Sequence, residues 1–84
     1  MRAEDILPEG HNQVRLPDGT LARKGTVAAF LANARVWCDP LAGAAQRRDA
    51  ERDMCDALPA LRALGLFEVL SIRDAALRQW VEAQ

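Results

Sequence analysis

Few side chains in this sequence are equipped for chemistry, and their spacing limits what they can do. A thiol nucleophile needs a base within hydrogen-bond reach. The two cysteines, Cys38 and Cys55, share the chain with one histidine, His11, which belongs to a different segment. No histidine or cysteine pair stands at the spacing that presents two metal ligands together. The cysteines are too few for a disulfide framework and too far apart for a CxxC motif, so they read as small, half-buried apolar residues of a reducing compartment. Asp53 and Asp56 pair two carboxylates, but on a highly charged, solvated helix face. Gly19 serves a turn, Gly25 a helix start, and Gly43 is solitary, so no loop cradles a phosphate. The inventory predicts no enzyme: no catalytic residue, no cofactor and no metal.

Basic and polar residues near the C-terminal end give a second reading. Ser71-Ile72-Arg73-Asp74-Ala75-Ala76-Leu77-Arg78-Gln79-Trp80 resembles the recognition helices of small helix-turn-helix and winged-helix proteins. That resemblance implies a DNA-binding or transcription-associated protein in which Arg73, Arg78 and Gln79 touch phosphates or base edges. Two features count against it: Val69 stands where the turn would carry glycine, and acidic Asp74 and Glu82 share the helix. The plainer reading is an amphipathic helix whose Trp80 packs on the core.

The elements that must position these residues follow from local pattern. Residues 1–12 mix charge, Pro8 and Gly10 without a period and read as a flexible N-terminal arm, or at most one helical turn around Ala3 to Leu7, that Ile6 and Leu7 pin. Residues 13–84 read as a single compact domain. Two short alternating runs flank Pro17-Asp18-Gly19, which predicts a β-hairpin. A three-residue turn places Val14 and Leu16 on one face with Thr20 and Ala22, whereas a two-residue Asp18-Gly19 loop sets Leu16 opposite Leu21. The residues leave both registers open. Gly25 and a capping Thr26 then start a helix to about Trp37, with Val27, Phe30, Leu31, Ala34 and Trp37 on its apolar face.

Asp39-Pro40 predicts the next helix start, with Pro40 in the first turn. This second helix, Pro40 to about Ala57, is the most charged part of the chain. Its Arg47–Glu51 and Arg52–Asp56 spacings suit i, i+4 ion pairs on a solvated face. Leu41, Ala44 or Ala45, Met54, Cys55 and Leu58 form its inward side. A short third helix begins near Pro59, capped by Asp56 and closed by Gly65. Phe67–Leu70 reads as an extended segment or a turn. Ser71 with Asp74 forms a capping box for a last helix from Ile72 to about Glu82.

The whole chain is 84 residues, half of them hydrophobic, with a formal net charge of −1. A domain this small buries only about 60–65% of its unfolded surface. Near-neutrality supplies no long-range field for nucleic acid or an anionic membrane. The longest apolar run, Val27 to Ala32, is far below the roughly 18 residues of a membrane span. The N-terminal residues have neither the apolar stretch of a signal peptide nor the basic character of a transit peptide, which predicts a cytoplasmic protein.

Leu16-Pro17-Asp18-Gly19-Thr20, Gly25-Thr26-Val27-Ala28, and Ala57-Leu58-Pro59-Ala60-Leu61 followed by Gly65-Leu66-Phe67-Glu68-Val69-Leu70 together resemble a family of small uncharacterised bacterial proteins. The resemblance runs from about residue 14 to 70 and fades beyond it. It implies no activity and carries over no catalytic residue.

The expected architecture is α+β and mostly α: an N-terminal two-stranded β-hairpin packed on about four short helices. Its expected core is Val14, Leu16, Val27, Phe30, Leu31, Leu58, Leu61, Leu64, Phe67, Leu70, Leu77 and Trp80. The leading expectation for function is a cytoplasmic protein-interaction module. It associates with itself, as a dimer by preference, or with another protein, through surfaces around Leu21, Val36 and Trp37.

Overall fold

In the computed structural model, residues 13–15, 19, 21–23 and 25–84 are described. The arm of residues 1–12 with Ile6, Leu7 and His11, and the turn residues Leu16, Pro17, Asp18 and Thr20, lie outside them. The side chains of Val14, Leu21 and Ala22 lie outside them as well.

Helix α1, Thr26–Cys38, follows a glycine whose backbone has φ near +90°. Open space surrounds the position, so backbone conformation is what selects glycine there. The Gly25 carbonyl accepts the first helical bond, from Ala29 N–H at 2.8 Å. Gly25 therefore holds the cap position expected of Thr26, and Thr26 is the first residue of the helix.

Asp39 ends α1, and its side chain accepts from Leu41 N–H at 2.9 Å. That bond folds a local turn instead of starting the next helix. Helix α2, Ala44–Leu64, starts after Gly43, whose N–H donates to Gln46 Oε1 at 2.9 Å. The expected start at Pro40 is thus corrected by four residues, and Leu41 is 91% exposed instead of inward.

The expected break at Pro59 is also absent, because α2 runs through it. Proline in a helix interior removes the bond to the carbonyl four residues back and crowds it. Here Leu58, Ala60 and Leu61 are all buried around an exposed Pro59. Packing on both sides of the proline keeps the helix going.

Gly65 ends α2 with φ near +80°, its N–H donating to Arg62 O at 3.0 Å. Any Cβ here would stand 3.1 Å from Glu68 Oε2. The short helix α3, Leu66–Val69, follows directly. Helix α4, Ala75–Glu82, is capped by Asp74, whose Oδ1 accepts from Leu77 N–H at 2.8 Å. The cap is therefore Asp74, three residues beyond the expected Ser71.

The core is helix on helix. Phe30 and Ala34 of α1 meet Ala50, Met54, Leu58 and Leu61 of α2, together with Leu77 and Val81 of α4. The α2 contributions recur every three or four residues and so form one narrow stripe. A hydrogen bond and a ring contact fix the α1–α2 pairing as antiparallel. Trp37 at the end of α1 bonds Glu51 near the start of α2, and Phe30 near the start of α1 meets Phe67 just beyond α2's end.

The α+β expectation is overturned: the described body is built of helices, and no sheet forms a layer of it. Segments Gln13–Arg15 and Leu21–Arg23 pair antiparallel, Val14 opposite Ala22. Three residues a side make no layer, and among the described residues the core cluster begins only at Phe30. Helical stripes close on one another without a sheet, and a two-stranded ribbon adds little stability by itself. Val27, Leu31, Leu64 and Leu70, expected in the core, are exposed. In their place Ala34, Ala50, Met54, Ala60 and Val81 are buried.

Candidate functional site

Three features of the helical body stand apart from its core: an aromatic–charge cluster, an exposed apolar strip and a small groove. The first lies where α1, α2 and α4 meet. The rings of Trp37 and Trp80 sit 6.1 Å apart, tilted at 36°. The Arg47 guanidinium lies 4.8 Å over the Trp37 ring, and Trp37 Nε1–H donates to Glu51 Oε1 at 3.0 Å. The sequence spacing predicts an Arg47–Glu51 ion pair, but both residues turn to Trp37 instead. A cation over an indole face is attracted by the ring quadrupole. The expected Arg52–Asp56 pair is replaced by Arg52–Asp49 at 3.2 Å, an exposed contact worth little.

This cluster changes the standing of the expected interface residues. Trp37 is half-buried and its ring is engaged within the chain. Val36 lies at the margin of exposure, and the Leu21 side chain lies outside the described residues.

Phe30 and Phe67 meet edge-on, with centroids 6.0 Å apart, and exposed apolar residues stand beside each of them in the chain. Val27 and Leu31 flank Phe30 on α1, and Leu64, Val69 and Leu70 flank Phe67. Their exposures are 46%, 59%, 40%, 84% and 58% respectively. The sequence reading placed four of these five in the core and singled out none as a surface. The available signal was the width of the α1 stripe: a line through Phe30, Ala34 and Trp37 leaves Val27 and Leu31 on its flank.

The third feature is a groove of about 200 Å³ whose lining residues include Arg62, Phe67, Leu70, Ile72, Arg78 and Val81. Arg62 Nη2 donates to the backbone oxygens of Val81 and Gln84, both at 3.3 Å, and holds the end of α4 against α2. Arg78 Nη1 donates to Ile72 O at 2.9 Å.

That last bond bears on the nucleic-acid residues. Arg78 is half-buried and ties down the segment before its own helix, while Arg73 precedes α4 instead of lying on it. Only Gln79 is both exposed and helical. The N-terminal amide of α4 that would meet a phosphate is bonded by Asp74.

Cys38 and Cys55 are both free thiols. Loss of water around the sulfur pushes the Cys38 thiol up, the Asp74 charge raises it further, and Arg47 pulls the other way. A raised thiol is a poor nucleophile at neutral pH. Cys55 S–H points to Gln84 Oε1 at 3.7 Å. Among the described residues no three His, Cys, Asp or Glu side chains gather to hold a metal ion, and no helix is long and apolar enough to cross a membrane.

Comparison with protein-family models, with curated proteins and with solved structures finds no match. Function must be argued from the chain's own surface.

Proposed function

We propose that this chain is a small cytoplasmic protein-interaction module that pairs with a second copy of itself through the strip of Val27, Leu31, Leu64, Val69 and Leu70. The observation that carries the reading is the exposure of these five side chains around one aromatic contact. Monomeric proteins seldom leave large contiguous apolar patches in water. Completing the burial of a Leu or Val contributes roughly 1–2 kcal/mol, and a two-fold interface uses the strip twice. The total reaches about 10–20 kcal/mol, to be set against an association cost of about 4–15 kcal/mol.

This reading moves the interface from the expected Leu21, Val36 and Trp37 to other residues, Val27 and Leu31 among them, near the start of α1. It assigns no catalytic residue. Size-exclusion chromatography with light scattering, in reducing buffer over a range of concentrations, tests it. The expected result is a dimer that Leu31→Glu and Val69→Glu each convert to a monomer with an unchanged helical circular-dichroism spectrum. A parent chain that stays monomeric at high concentration overturns the proposal.

A further inference from the structure

The two stretches that carry the exposed apolar side chains hold one charge each. Arg35 is the single charged residue from Gly25 to Cys38, and Glu68 the single one from Ala63 to Ile72. Both are exposed. Among the described residues, no ion pair or hydrogen bond engages either side chain, whereas Arg52 on α2 finds its own Asp49.

Their places on the fold are complementary. Val27, Leu31 and Arg35 stand at i, i+4 and i+8, so one row along α1 runs from two apolar side chains to the cation. Glu68 follows Phe67, whose ring meets Phe30, and its Oε2 lies 3.1 Å from where a Cβ on Gly65 would stand. The anion therefore belongs near the level of Phe30, and the Arg35 backbone lies five residues, about 7–8 Å, farther along α1.

We infer that in the dimer Arg35 of each copy pairs with Glu68 of the partner subunit, so that charge fixes how the two apolar strips are laid together. The inference rests on the proposed dimer. A two-fold axis across α1 near Leu31 turns the start of one α1 toward the end of the other, and each cation is carried toward the other copy's anion, twice. An axis along α1 would instead set Arg35 level with Arg35 and Glu68 level with Glu68. An exposed ion pair adds little affinity, but like charges set together are penalised, so the pair selects the antiparallel arrangement and the partner.

Charge reversal tests this, because both residues are exposed and outside the core. Sedimentation equilibrium of the full chain measures the dimer Kd, with circular dichroism to verify the fold. Arg35→Glu and Glu68→Arg each set like charges together and are expected to dimerise at least about tenfold more weakly than the parent. The double variant has the net charge of the parent and returns to within about threefold of its Kd. Mixed in equal amounts, the two single variants form a heterodimer, identified by native mass spectrometry, because each supplies the charge that the other lacks. High salt narrows the gap between the single variants and the parent.

Single reversals that leave Kd unchanged, or a double variant as weak as the singles, would overturn the inference. In either case a dimer that Leu31→Glu dissociates still supports the apolar strip, so the two failures are told apart. A parent chain that stays monomeric overturns both.

Discussion

Helix α1 carries a single charged side chain, Arg35, and buries only Phe30 and Ala34. Helix α2 carries Arg47, Arg48, Asp49, Glu51, Arg52, Asp53, Asp56 and Arg62, yet buries Ala50, Met54, Leu58, Ala60 and Leu61. The oily helix is thus the more exposed of the two, and the charged one forms the centre of the core. Alignment explains the inversion. The apolar residues of α2 line up along one stripe, whereas those of α1 spread around its circumference, and a neighbouring helix covers only one side. Apolar content says how much surface is better out of water; the pattern says how much of it this chain can cover alone. The difference on α1 is the surface assigned above to a second copy.

The largest expected effect separates the two helices directly. Leu61 has no exposed surface, so Leu61→Ala is expected to cost about 2–5 kcal/mol, from lost transfer energy and the cavity left behind. Leu31→Ala, on the nominally oilier helix, changes the stability of the isolated monomer by less than about 0.5 kcal/mol. Urea unfolding at low protein concentration measures both. At high concentration, Leu31→Ala acquires a concentration-dependent loss as the dimer contributes to stability. Comparable losses from the two changes in the monomer would break the comparison.

A smaller effect tests why α2 stays continuous. An interior proline costs a helix about 3 kcal/mol, part of which is returned by the stiffer unfolded chain. Pro59→Ala is therefore expected to stabilise the protein by about 1–2 kcal/mol, read as a higher denaturation midpoint at constant slope. A loss of stability would show that the backbone adjustment at Pro59 is what seats Leu58 and Leu61.

The same two helices show which parts of the fold can be read from residues alone. Gly25 and Gly65 mark the start of α1 and the end of α2, because only a glycine accepts their positive φ without strain. Met54, Leu58, Leu61 and Leu77 are legible as inward residues from helical spacing. The start of α2 is not legible: Asp39-Pro40 carries the local signals of a helix start, and only the bond from Leu41 N–H to Asp39 shows that they close a turn. Nor is the passage through Pro59, since local propensity favours a break and long-range packing overrides it. At the surface, a wide apolar stripe does not reveal which of its edges has a neighbour. The groove is hidden for a related reason. Arg62 and Arg78 stand far apart in sequence, and nothing local announces that both bond backbone carbonyls around α4.

The smallest effect joins the far end of α1 to α4. Asp74 caps α4 through Leu77 N–H, and its charge also raises the Cys38 thiol at the end of α1, after the larger effect of lost hydration. Asp74→Ala is expected to cost about 1 kcal/mol of stability, the usual value of such a cap. It also lowers the Cys38 pKa while leaving it above its ordinary value, because the loss of hydration remains. The sign of the pH effect follows. A raised thiol pKa contributes stability that is present below the unfolded value and is lost as pH rises through the folded one. Removing Asp74 shrinks that alkaline loss, so the gap between parent and variant narrows as the solution becomes more basic. Iodoacetamide modification of Cys38 in a Cys55→Ser background reads the same coupling kinetically, with faster alkylation in the Asp74→Ala variant at a pH where the fold is intact. An unchanged rate would mean that the cap and the thiol are neighbours without being coupled, and that α4 stabilises the end of α1 only through the Trp37–Trp80 contact.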